Sequence, residues 1–194
     1  MKQILFISIS ILVICLSGKA QDKKRDSGII FLLGPSGTYQ IPAIDEGSDY
    51  NENLLSWQID SQLGFISTRN QTNRGNMLMA FGNVGAANNA MLQEIMQSSI
   101  YAEKVTADRS FNPYYSIEGG MIIFKLLRIS GGAGRQYFTL AEDETLSCLK
   151  YFTGTAGLNF DFGAVNLGIN ATMLTGRELE QSLIRLNMGF LVKF

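Results

Sequence analysis

The sequence predicts an all-β fold, an eight-stranded antiparallel up-and-down transmembrane β-barrel with a short helix in the 86–112 connection. Three observations carry that expectation. Apolar and polar residues alternate with period 2 through most of the chain. The connections alternate between longer and shorter, as they do when loops gather at one end of a barrel and turns at the other. The charged fraction is 17%, below the roughly 25% usual for soluble domains. No stretch after residue 20 is long and apolar enough for a membrane-spanning helix, so a membrane crossing would have to be made by a closed barrel.

The elements follow in order. Residues 1–20 read as a signal peptide: Lys2 gives a positive start, Ile4 to Leu16 form the apolar run, and Gly18 and Ala20 set a cleavage site after Ala20. Cys15 admits a lipoprotein reading, but Ile14 stands where a small residue is needed. Residues 21–28 are a polar leader, and 29–194 form the barrel domain. Strands are expected over 29–40, 54–67, 76–85, 113–125, 127–139, 148–162, 164–174 and the terminal stretch from Leu183. Leu55, Trp57, Ile59, Leu63 and Phe65 share one face of the second strand. Val165, Leu167, Ile169, Ala171 and Met173 do so in the seventh. The third strand alternates poorly, and Phe124 has the wrong parity for the fourth. In 88–105, Leu92, Ile95, Met96 and Ser99 recur at helical spacing, with Asn88 or Asn89 as the cap. That helix is expected either to fold over the rim or to bind an envelope protein partner.

The polar face decides which side meets lipid. It is mostly Gly, Ser, Thr, Asn and Gln, where a solvated face would carry more Lys and Glu. Small residues suit the filled interior of an eight-stranded barrel. Aromatics gather at strand ends: Phe31, Phe65, Phe160, Phe162 and Phe194 toward the short turns, and Tyr39, Trp57, Tyr115, Tyr137 and Phe152 toward the long loops. The alternation by itself also fits a secreted soluble β-sandwich or ligand-binding β-barrel. In the final strand Leu186, Met188, Phe190, Val192 and the terminal Phe194 alternate. This stretch, "LNMGFLVKF", resembles the last strand of small bacterial outer-membrane β-barrel proteins with an OmpA-type transmembrane domain. The resemblance implies that these residues are read by the barrel assembly machinery, that the protein is exported to the outer membrane, and that its surroundings are outer-membrane lipid and lipopolysaccharide.

Little in the sequence points to catalysis. There is no histidine, which removes Ser-His-Asp and Cys-His chemistry and His-ligated zinc. After residue 20 only Cys148 remains, so no intramolecular disulfide is available, and a structural thiol is the expectation. No cofactor or metal is expected. Without Lys2 and Lys19 the balance is 14 basic against 17 acidic residues, net −3, which gives no reason to expect nucleic-acid binding. "GPSG" (34–37) and "GGAG" (131–134) lack the features of a phosphate loop. Seven acids in 41–53 and 140–147 suggest a solvated acidic rim or a divalent-cation site. Asp60, Glu118, Arg128, Lys150, Asp161, Arg185 and Lys193 are read as an interior charge network, with Arg128 expected to meet Asp161. The expected role is non-enzymatic: envelope structure or interaction through the loops. An accessory barrel of a secretion or assembly complex is the alternative.

Overall fold

The structure, a computed structural model, describes residues 28–41, 54–66, 77–101, 112–139 and 145–194. The expected signal peptide, its cleavage site, the leader up to residue 27 and the seven loop acids lie outside the described residues. The strands are β1 (Gly28–Ile41), β2 (Leu55–Ile66), β3 (Met77–Ala87), β4 (Asn112–Ile123), β5 (Leu127–Thr139), β6 (Leu146–Asp161), β7 (Val165–Thr175) and β8 (Leu183–Lys193). One helix, α1 (Asn89–Gln97), stands between β3 and β4. The expected strand limits differ from these by no more than two residues.

Each strand pairs antiparallel with the next, and β1 pairs with β8 to close the barrel. Closure removes the exposed strand edges that an open sheet would leave. Phe194 extends the seam: its N–H donates to Phe31 O at 2.9 Å, and the two rings lie 6.2 Å apart.

The connections explain two awkward places in the sequence. Phe124 and Lys125 are not strand residues. Both take positive φ, 54° and 57°, and Leu126 N–H donates to Ile123 O at 3.0 Å, which makes a tight hairpin. Phe124 has the wrong parity because β4 ends at Ile123, two residues before the expected limit. β3 alternates poorly because its inward Met79 and Phe81 are as apolar as its outward Leu78 and Val84.

The two ends of the bore are closed by apolar side chains. Ile30, Leu32, Met79, Phe81, Ile122 and Leu191 pack together at the short-turn end, with Met77 against them. At the loop end the cluster includes Tyr114, Phe138, Leu149, Tyr151, Leu174 and Leu183 from the wall. Met91, Leu92, Ile95 and Met96 of α1 complete it, with Leu179 of the β7–β8 loop. Asn88 caps the helix as its spacing predicts, accepting Met91 N–H at 2.8 Å. Ser99, expected on the apolar face of the helix, lies just beyond its end and forms a bridge with Leu179.

Candidate functional site: the outer wall and the sealed interior

The outward positions of the strands are the first feature. On β1 they are Ile29, Phe31, Leu33, Pro35 and Tyr39; on β2 Leu55, Trp57, Ile59 and Leu63; on β8 Ile184, Leu186, Met188 and Phe190. All are exposed, Trp57 at 71% and Ile117 of β4 at 66%. Their inward neighbours Ser36, Thr38, Gln40, Ser56, Gln58, Asp60 and Gln62 are buried. The molecule is therefore apolar outside and polar inside, the reverse of a soluble barrel. A continuous apolar wall of this size in water would be an aggregation surface. In hydrocarbon it costs nothing, and the closed ladder satisfies the backbone.

This is the wall of a membrane barrel. No helix among the described residues is long and apolar enough to cross a membrane.

No protein-family model and no curated protein matches the chain. Among solved structures it is similar to small outer-membrane β-barrels. Ail of Yersinia pestis, in a phospholipid bilayer nanodisc, is 13% identical with a TM-score of 0.45, over 86% of this chain and 98% of that one. The N-terminal barrel domain of Pseudomonas aeruginosa OprF is 13% identical, TM-score 0.46, over 86% and 97%. Neisserial surface protein A is 10% identical, TM-score 0.46, over 87% and 99%. These are likenesses of fold.

Inside the membrane barrel lies a hydrogen-bond network centred on Glu118. Arg128 Nη2 donates to Glu118 Oε2 at 2.8 Å, Ser130 Oγ to the same oxygen at 2.6 Å, and Thr155 Oγ1 to Oε1 at 3.0 Å. The guanidinium lies 3.7 Å over the Phe81 ring, at the inner surface of the turn-side cluster. A one-way relay leads to the carboxylate. Thr38 donates to Asn187 (2.9 Å), Asn187 to Thr172 (3.1 Å), Thr172 to Thr155 (2.9 Å), and Thr155 to Glu118. Aligned bonds of this kind strengthen one another. On the other side Tyr114 Oη donates to Gln58 Oε1 at 2.8 Å, and Gln58 Nε2 to Asp60 Oδ1 at 2.7 Å. With its amide turned to suit its neighbours, Asn83 donates to Asp60 Oδ1 at 3.1 Å. Every strand of the barrel contributes a side chain to this belt.

Four of the seven expected network residues are buried inside: Asp60, Glu118, Arg128 and Arg185. Their formal charges, two negative and two positive, cancel. The other three are not part of it. Arg128 binds Glu118, not Asp161. Both carboxylates lie four residues along the ladder from Arg128, in opposite directions, since Glu118 faces Gly132 and Arg128 faces Gly157. Glu118 is buried and would be an uncompensated charge alone. Asp161 is exposed at the rim and accepts Gly163 N–H at 2.9 Å, holding a turn in which Gly163 has φ +84°. Lys193 keeps the inward register but is exposed at the barrel end. Lys150 has the opposite parity and points outward beside Phe152.

Arg185 has no carboxylate partner among the described residues. Instead its Nε donates to Gln40 Oε1 at 3.1 Å, and its guanidinium lies 4.5 Å from the Tyr114 ring centre and 5.8 Å from that of Tyr151. Nothing in the sequence marks this cage, because its two tyrosines sit inward beside outward-facing aromatics. The apolar face of α1 closes the mouth, the rim-folding arrangement expected of it, and leaves Gln93 and Gln97 outside. Among the described residues no cluster of His, Cys, Asp or Glu could hold a metal ion.

Proposed function

We propose that the protein is a small non-enzymatic barrel of the outer membrane, with an envelope-structural role or one of presenting its loops. The observation that carries this reading is the combination of a lipid-compatible wall with a bore closed at both ends and neutral in net charge. A passage would have to cross two apolar clusters and a bonded polar belt. In this reading Leu186, Met188, Phe190, Val192 and Phe194 form the strand that the barrel assembly machinery recognises. Export follows cleavage after Ala20, and lipopolysaccharide surrounds the loop end. The soluble ligand-binding alternative is disfavoured by the outward apolar faces. The accessory-subunit alternative has lost one candidate docking surface, because α1 buries its apolar face in the mouth.

Cell fractionation combined with a heat-modifiability gel tests this. The expected result is a membrane-pelleted protein that migrates differently before and after boiling. Recovery in the soluble periplasmic fraction, with one gel mobility, would overturn it.

A further inference from the structure

Two charges stand on the otherwise apolar wall. Among the described outward positions of the eight strands, only Arg135 and Lys150 are ionisable bases, and both are exposed. They are direct cross-strand partners on β5 and β6. Like charges placed opposite each other repel. Neither has a carboxylate within ion-pair distance among the described residues. The nearby Glu178 instead accepts the main-chain N–H of Lys150 at 2.7 Å. The pair sits on the loop side of the wall, level with Tyr115, which faces Arg135 across the β4–β5 ladder. Tyr115 and Tyr137, with ring centres 6.3 Å apart, flank it. Tyrosine at this height marks the headgroup layer of a bilayer.

The wall below the pair is smooth. Gly119, Gly131 and Gly154 face one another across β4, β5 and β6. A Cβ at Gly119 or Gly154 would meet nothing within 4 Å, so barrel packing does not require glycine there. Ala133 lies between this floor and Arg135, bordered by the exposed Ile117 and Phe152. Three strands at about 4.8 Å spacing make a floor roughly 10 Å wide, enough for two alkyl chains side by side.

We infer that Arg135 and Lys150 hold the phosphate of an anionic lipid in the loop-side leaflet, with its acyl chains lying on the Gly119–Gly131–Gly154 floor. A phosphate monoester suits the site best. It carries up to two negative charges, accepts paired bonds from a guanidinium, and removes the repulsion between the two cations. The inference rests on the membrane reading above.

Native mass spectrometry of the folded barrel in mixed micelles tests it, with equal amounts of dioleoyl phosphatidic acid and dioleoyl phosphatidylcholine. The wild type is expected to retain the phosphatidic acid about tenfold better, from two cations acting on one headgroup. Arg135→Gln with Lys150→Gln should bring retention to parity while keeping the heat-modifiable gel shift. Gly131→Leu should weaken retention of both lipids and leave the charges in place. Absence of preference in the wild type, a preference that survives the double substitution, or equal competition by inorganic phosphate would overturn the site. Failure of the wild type to insert into phosphatidylcholine vesicles would instead overturn the membrane reading.

Discussion

The two ends of the barrel are closed in different ways. At the turn end every residue of the apolar cluster belongs to a strand, so the closure is part of the wall. At the loop end the wall supplies a ring of aromatic and aliphatic side chains, but α1 and Leu179 fill the centre. The first closure can open only if strands separate. The second is carried by connections and can leave while the ladders stay intact. Between them the polar belt holds its charges in a space that neither end opens to water. A sealed bore thus has one fixed stopper and one separable one.

The largest expected effect is at the fixed end. Arg128→Ala leaves Glu118 buried without its partner and removes the guanidinium stacked on Phe81. The loss should be about 3–5 kcal/mol, read as a lower unfolding temperature in detergent. Unchanged stability would mean that the pair does not form. Phe81→Ala comes next, at about 3 kcal/mol or somewhat more, through the cavity it leaves among strand side chains. Leu92→Asp puts a charge in the loop-side cluster and should release α1. Amide exchange should then rise across Asn89–Gln97 while strand amides keep their protection. If the strands lose protection as well, the two closures are not different in kind. The smallest effect is a gain. Phe124→Asn with Lys125→Gly places residues suited to positive φ in the β4–β5 hairpin and should add about 0.5–1 kcal/mol. A loss there would show that Phe124 is held by contacts worth more than its backbone conformation costs.

The strands were legible because lipid and a narrow bore demand opposite chemistry of alternate residues, as at Val165 to Met173. Legibility failed where that demand relaxes. In β3 the turn-end cluster makes the inward side apolar, so Met79 and Phe81 mask the period. Alternation places a residue on a face but not along the barrel axis, so it does not separate Glu118 from Asp161 as the partner of Arg128. Burial decides between Glu118 and Asp161, and burial at a strand end depends on where the rim falls. Polarity alone points Lys150 inward, but its parity with Phe152 puts it outside. That departure from the pattern is also the basis of the lipid-phosphate site. The helix is legible in Asn88, Leu92, Ile95 and Met96, and its spacing leaves two surfaces open to its apolar face, the rim or a partner, of which the fold takes the rim. An amphipathic face shows that a surface is buried, and only the fold shows against what.

The sequence holds one tryptophan, Trp57, which stands on the outer wall. Its fluorescence in reconstituted vesicles tests the central claim directly. Lipids brominated along the acyl chains should quench it strongly, and aqueous iodide should leave it nearly unchanged. Strong iodide quenching with no response to brominated chains would contradict a wall solvated by hydrocarbon.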